Sequence, residues 1–177
     1  HGWDRTTGTP GGTANIGAVG GATSYSLNAG MLTATVTPVN DAPVLGAGTL
    51  ATQMTLPNTT LTLSVEALLG TGLTDIDTMQ LGVAIVGATG NGVWQYRVSA
   101  LAPWLDLSPV SASAARLLES VGELRFNAAL TRGTATITFR AWDRTMGASG
   151  GTINLSLASA VGGTKAFSSA ARTFSVI

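Results

Sequence analysis

The stretch GWDRTTGTPGGTAN at residues 2–15 returns near the end of the chain as AWDRTMGASGGTIN at residues 141–154. The two copies align without a gap from their tryptophans to their final asparagines. A self-match at a single long period indicates a tandem array of repeated units. Roughly 140 residues lie between equivalent points, which is a common domain size.

Shorter blocks extend the repeat beyond this stretch. Both copies continue into AVGG, at residues 18–21 and 160–163, and then into an aromatic residue followed by serine. Both end on a segment of β-like composition, TATV at residues 33–36 and TFSV at residues 173–176. Small insertions separate the blocks, so the match covers the whole N-terminal part of the chain.

The repeat also predicts the domain organisation. Residues 1–37 are interpreted as the C-terminal strands of a preceding repeat, residues 38–43 as a linker, and residues 44–177 as a complete repeat. Pro38 and Pro43 stiffen the linker because each fixes its backbone and lacks an amide proton for a strand ladder. The Asn-Asp pair between them is typical of a turn.

The composition argues against several classes of protein. Charged residues make up only 10% of the chain and the net charge is zero, so there is no basic surface for nucleic acid. The mean hydropathy of +0.33 argues against a disordered linker. No apolar run approaches the ~20 residues of a membrane span, so membrane insertion is not expected. The absence of cysteine excludes disulfides and cysteine-ligated metals.

Alternation of apolar and polar residues predicts many strands and little helix. Strands are expected at residues 31–37, 53–56, 59–65, 81–86, 93–98, 104–107, 123–126, 134–141 and 173–177. Residues 111–119 are the one predicted helix, and residues 66–69, stopped by Gly70, are a single helical turn. About eight short strands with glycine-rich turns predict an all-β, antiparallel sandwich.

Four blocks resemble the bacterial cadherin-like and Ig-like tandem repeats of giant secreted adhesins, of the RTX and VCBS-repeat type. The blocks are VNDAPVL at residues 39–45, NGVWQY at 91–96, the segment 114–126, and TITFRAWD at 136–143. Together they span residues 38–177. The resemblance implies an Ig-like or cadherin-like β-sandwich with at most one short helix. It also implies an extracellular, non-catalytic unit repeated head to tail at the bacterial cell surface, with Ca²⁺ at the junctions.

Calcium is the one cofactor for which the sequence offers ligands. The ion takes about six to eight oxygen ligands, several of them carboxylates. The candidates are Asn40 and Asp41 in the linker, Asp75 and Asp77 in a polar loop, and Asp4 and Asp143 after the tryptophans. The alternative is that these side chains accept hydrogen bonds from the amides of their own turns.

The Trp-Asp-Arg blocks allow two interpretations. Strand register places Trp142 on the outward face of its strand and Asp143 on the inward face. In the first interpretation Trp3 and Trp142, with Arg5 and Arg144, contact a neighbouring repeat at a junction. In the second, the block is a fold-forming corner, in which tryptophan covers a loop and aspartate bonds to turn amides.

Three functions remain open, and in the first two the partners are neighbouring copies, in cis or as a homopolymer. The first is a non-catalytic stalk or spacer in a large adhesin-like protein. The second is a self-assembling subunit of an extracellular filament, sheath or matrix, in which residues 1–37 pair with a neighbouring copy. A third is a carbohydrate-binding module that uses Trp94, Tyr96 and Trp104. An enzyme is not expected, because the only histidine, His1, is terminal and cannot build an internal triad or histidine metal site.

Overall fold

The computed structural model describes residues 1–46 and 50–177, which fall into two compact units, His1–Pro38 and Val39–Ile177. The first unit consists of turns and loops with one isolated antiparallel bridge, between Trp3 and Tyr25. Every helix and strand of the described ranges lies in the second unit. None of the helices in these ranges is long and apolar enough to cross a membrane.

The described part of the second unit contains eleven strands, one α-helix and one 3-10 helix. In chain order these are β1 Val44–Leu45, β2 Thr60–Ser64, α1 Val65–Leu69, β3 Leu73–Thr74, β4 Gly82–Thr89, β5 Gly92–Arg97, β6 Leu105–Asp106, β7 Ala115–Glu119, β8 Glu123–Ala128, β9 Ala135–Trp142, β10 Thr152–Ile153, the 3-10 helix Ala158–Ala160, and β11 Arg172–Val176. The predicted all-β, antiparallel fold with one short α-helix is confirmed.

Two antiparallel sheets face each other across the main core. One has the strand order β10-β7-β4-β9-β11 and the other the order β2-β8-β5-β6, while β1 and β3 form a separate pair. Ile137 and Phe139 of β9 share this core with Trp94 of β5 and Phe126 of β8. The rings of Trp94 and Phe126 lie 4.8 Å apart between centroids. Burial of these large apolar side chains is the main stabilising contribution to the sandwich.

A second apolar cluster lies on the outer face of the five-stranded sheet. It includes Trp142, Leu155 and Phe167, which come from β9 and from the segment that follows it. The sheet beneath the indole needs glycine at position 82, since a Cβ there would lie 2.9 Å from Cε3 of Trp142 and 2.5 Å from the carbonyl oxygen of Leu118. The segment after β9 therefore covers this end of the sheet on its outer side.

The helical turn predicted at residues 66–69 is present as α1. The hydroxyl of Ser64 caps the helix by accepting a hydrogen bond from the amide of Ala67 at 3.1 Å. Gly70 ends it with a positive φ of 59°, which favours glycine, and its amide donates to the carbonyl of Glu66 at 3.2 Å. Val65 and Leu68 are buried and anchor the turn to the main core.

The helix predicted at residues 111–119 is wrong. Ser111 and Ala114 form a tight turn, and the residues after it are strand β7, between β10 and β4. Leu118 lies in the main core, whereas Leu117 lies in the outer cluster. Because both faces of β7 are covered, its sequence lacks the alternation that marks a half-exposed strand.

Two predicted strands do not form as strands. Residues 53–56 are not a strand, although Gln53 forms a parallel bridge with Val176 and the amide of Thr55 donates to the carbonyl of Ile177 at 2.9 Å. Residues 31–37 have no ladder in the first unit, although their counterpart, β11, pairs with β9 from Ala135 to Phe139. In the repeat, Gly2 corresponds to Ala141, so the first unit contains no counterpart of residues 135–139. The strand with which residues 31–37 would pair is therefore absent from that unit.

The chain enters and leaves the sandwich at opposite ends. At the end that we call the linker end, the amide of Ala42 donates to the carbonyl of Gly163 at 2.7 Å. At the end that we call the tail end, Ile177 donates to the carbonyl of Gln53 at 3.0 Å, near Ala135, the first residue of β9. The eight residues of β9 separate the two ends by about 25 Å.

Replacing Leu118 with alanine tests the assignment of β7. Leu118 is completely buried in the main core, so Leu118→Ala should lower the free energy of unfolding in urea by about 2–5 kcal/mol. Leu101 is almost fully exposed, and the control Leu101→Ala should change it by less than about 0.5 kcal/mol. Equal losses in the two variants would contradict the placement of β7 in the sandwich.

Candidate functional site

The Trp-Asp-Arg corner of the second unit is a closed turn at the end of β9. The indole Nε1 of Trp142 donates to the carbonyl of Met146 at 2.7 Å. The buried Oδ1 of Asp143 accepts hydrogen bonds from the amide of Thr145 at 2.8 Å and from its hydroxyl at 2.6 Å. Arg144 adopts a left-handed backbone, with φ of 70°, which costs a non-glycine residue about 1–2 kcal/mol. The neighbouring hydrogen bonds offset that cost.

The first unit contains the same corner. The indole of Trp3 donates to the carbonyl of Thr7 at 2.7 Å. Asp4 Oδ1 accepts from the amide of Thr6 at 2.9 Å and from its hydroxyl at 2.7 Å. Arg5 has φ of 67°. The duplicated sequence therefore builds the same turn twice, with the same donors and acceptors.

A serine closes each corner from the other side. In the second unit the hydroxyl of Ser168 accepts from the amide of Ala141 at 2.9 Å, and in the first unit that of Ser26 accepts from the amide of Gly2 at 2.7 Å. Each hydroxyl also donates to the carbonyl two residues ahead, at 2.7 Å. The serine was part of the sequence repeat, but its role was missed because serine has no distinctive spacing signal of its own.

The environments of the two corners differ. Trp142 is only 1% exposed and packs with Phe167 in the outer cluster, while Trp3 is partly exposed. All the corner bonds are made within one unit. These contacts agree with the second interpretation of the Trp-Asp-Arg block, in which it is a fold-forming corner.

The two arginines of the blocks have different partners. Arg144 forms an ion pair with Glu119 at 2.9 Å and donates to Gln80 Oε1 at 3.0 Å. Arg5 forms no ion pair within residues 1–46 and 50–177. The arginine of the second corner thus ties the turn to β7 and to the loop before β4.

Five of the six calcium candidates lie at the linker end of the second unit, and Asp4 lies in the first unit. Asn40 Nδ2 donates to Asp143 Oδ2 at 2.8 Å. The amide of Asp41 donates to Asp77 Oδ2 at 2.6 Å. Asp75 Oδ1 accepts from the amide of Asp77 at 2.8 Å. The structure therefore gathers residues that are widely separated in the sequence.

This arrangement does not fit a calcium ion. Both carboxylate oxygens of Asp143 already accept hydrogen bonds, Oδ1 from Thr145 and Oδ2 from Asn40. Asp75 Oδ2 is buried without a hydrogen-bond partner, whereas the ion takes about six to eight oxygen ligands. Among the described residues, no three His, Cys, Asp or Glu side chains are grouped so that they could hold a metal ion.

The linker is bound to the sandwich that it precedes. Asn40 is held through Asp143, Ala42 through Gly163, and Pro43 is buried. Pro38, by contrast, is exposed and is the last residue of the first unit. Residues 40–43 of the predicted linker are therefore held by the second unit.

The three aromatic residues proposed for sugar binding do not share a surface. Trp94 and Tyr96 are buried in the main core. Trp104 is partly exposed, and the guanidinium carbons of Arg97 and Arg125 lie 4.6 and 4.4 Å from its ring centroid. These three side chains therefore form no flat aromatic platform.

No protein-family model, no curated protein and no solved structure matches this chain.

The carboxyl group of Asp4 offers a test of the exposed corner. Hydrogen bonds from the amide and then the hydroxyl of Thr6 lower its pKa below the ordinary value. A lowered pKa means that the contact stabilises the corner above the ordinary pKa and is lost as the pH falls through the folded one. Thr6→Val removes the hydroxyl and should raise the pKa of Asp4, measured by carboxyl NMR titration.

The matched variant Thr7→Val lies next in the chain and keeps both bonds to Asp4. It should leave the pKa of Asp4 unchanged. Equal pKa values of Asp4 in the two variants would contradict the turn geometry.

Proposed function

We propose that this chain is part of a tandem array of β-sandwich repeats that acts as a non-catalytic spacer in a large bacterial surface or secreted protein. The observation that carries the proposal is the duplicated corner. Trp3 and Asp4 make the same hydrogen bonds as Trp142 and Asp143, at distances that agree within 0.1 Å. The first unit is then the last part of a repeat of which Val39–Ile177 is a further copy.

The positions of the chain ends support a spacer. The linker joins the sandwich beside Gly163, and Ile177 leaves it beside Gln53 at the opposite end. Copies joined in this order add their long dimension, whereas a fold with both ends on one side would fold the array back on itself. A stalk needs each repeat to add length, and chain ends on opposite sides of the sandwich meet that need.

The linker contacts also support a spacer. Asn40 and Ala42 are fixed to the sandwich by hydrogen bonds of 2.8 and 2.7 Å. Pro38 restricts the remaining free chain because its ring fixes the backbone. A short, restrained connection of this kind limits bending between units.

The surface and composition support an extracellular setting. On the outer face of the four-stranded sheet, Gln95 accepts from Arg125 at 2.7 Å and from Asn127 at 3.0 Å, and donates to Asp106 at 2.7 Å. The charged and polar side chains of this face pair with one another, including Arg97 with Glu123. The absence of cysteine suits a secreted protein, because no thiol can be oxidised wrongly.

One observation favours the filament alternative. Met31, Leu32 and Val36 are almost fully exposed in a segment whose counterpart is a fully laddered strand. An uncharged segment without a ladder is suited to add to the sheet edge of another molecule. A chain that is monomeric in light scattering, with residues 31–37 cleaved rapidly by protease, would contradict this alternative.

Small-angle X-ray scattering of proteins with one, two and three copies of Val39–Ile177 tests the spacer. The maximum dimension should rise by a constant increment of about 40 Å per copy, the length of a compact unit of this size. Growth with only the cube root of the mass would contradict an extended array.

A linker variant provides the matched comparison. Asn40→Ala removes the bond to Asp143 and frees the start of the linker, so the same proteins should show a broader distribution of dimensions with a lower mean. An unchanged distribution would contradict the role assigned to the linker contact.

A further inference from the structure

The tail end of the sandwich carries an apolar pocket with a volume of about 220 Å³. Its lining includes Met54, Leu56, Phe126 and Val176, and the side chain of Leu56 is 69% exposed at its rim. Arg132 has the one charged side chain among the residues that line it. Within the described ranges, Arg132 takes part in no ion pair.

The linker end carries an apolar loop with acidic neighbours. Ile76 is 83% and Met79 97% exposed, in the loop that precedes β4. Asp75 and Asp77 lie in the same loop, and Asp41 contacts it. The linker end thus combines exposed apolar side chains with negative charge, while the tail end combines an apolar cavity with positive charge.

The loop is held in shape before any partner arrives. Asp75 Oδ1 accepts from the amides of Asp77 and Thr78 at 2.8 and 3.0 Å, and Thr78 in turn accepts from the amide of Gln80 at 3.0 Å. Little backbone entropy is therefore lost when Ile76 and Met79 become buried. A preformed apolar loop of this kind favours a specific contact.

We propose that the tail-end pocket binds the loop of Ile76 and Met79 from a second copy of this sandwich, with Arg132 facing the acidic residues of that loop. The two surfaces differ and lie at opposite ends, so the contact is head to tail and continues as a line rather than closing as a pair. The inference rests on the proposed tandem array, and it adds that neighbouring sandwiches touch directly.

Chain connectivity favours this occupant over others. In the first unit, Val36 is the counterpart of Val176, which lines the pocket, and the next sandwich begins at Val39. In an array the loop of the following copy is therefore tethered within a few residues of the pocket. Such a tether raises the effective concentration of the loop to the millimolar range, about enough for a weak contact.

The contact can be tested in trans with the full 177-residue chain by sedimentation equilibrium. The average mass of the wild type should rise with concentration up to about 1 mM, the range of a weak interface. Leu56→Asp removes the tail-end surface and Met79→Asp the linker-end surface, so each variant alone should remain monomeric. The control Leu157→Asp, at an exposed leucine outside both surfaces, should associate like the wild type.

Mixing the two variants gives the decisive result. Leu56→Asp keeps an intact linker end and Met79→Asp an intact tail end, so an equimolar mixture should form one-to-one dimers and nothing larger. A monomeric wild type, association of either variant alone, or a monomeric mixture would overturn the proposal. Equal thermal melting of all variants shows that folding is intact. Failure of this association test would not contradict the spacer function, which the increase in maximum dimension per copy tests separately.

Discussion

The corner that follows β9 is the constraint on which the rest of the sandwich depends. β9 lies between β4 and β11 in the five-stranded sheet, and its inner residues Ala135, Ile137 and Phe139 belong to the main core. Its last residue, Trp142, packs directly over Gly82. The chain can reverse there only because Arg144 accepts a left-handed backbone that the hydrogen bonds of Trp142 and Asp143 hold in place. After this reversal, residues of the outer cluster pack on the outer face of the sheet. The chain then forms β11, which pairs with β9 at the edge of the sheet.

Much of the fold could be predicted where one face of an element is exposed. The alternation of Ile137 and Phe139 with threonines identified β9, and the stop at Gly70 identified α1. β7 could not be identified in this way, since Leu117 and Leu118 are buried on opposite faces. The two-residue strands are also invisible in the sequence because they exist only where tertiary structure brings short segments together.

At the candidate site, the local turn could be predicted from the sequence, but the long-range contacts could not. The repeat singled out the Trp-Asp-Arg block, and turn chemistry suggested that its aspartate bonds to nearby amides. The contact of Asn40 with Asp143 joins residues 103 positions apart, and no local pattern reveals such a pair. Five of the six calcium candidates lie together at one end, where Asp143, Asp77 and Asp75 accept hydrogen bonds from backbone amides and from Asn40.

The most direct test of the account is to complete the first unit. If the first unit is the end of a repeat, residues 31–37 should gain a ladder once a counterpart of β9 is present. Placing a copy of residues 39–139 in front of His1 supplies that strand. Hydrogen exchange should then show protection of the amides of residues 31–37 comparable to that of residues 172–176. If these amides exchange as fast as in the original chain, the first unit is not the end of a repeat and the tandem array is contradicted.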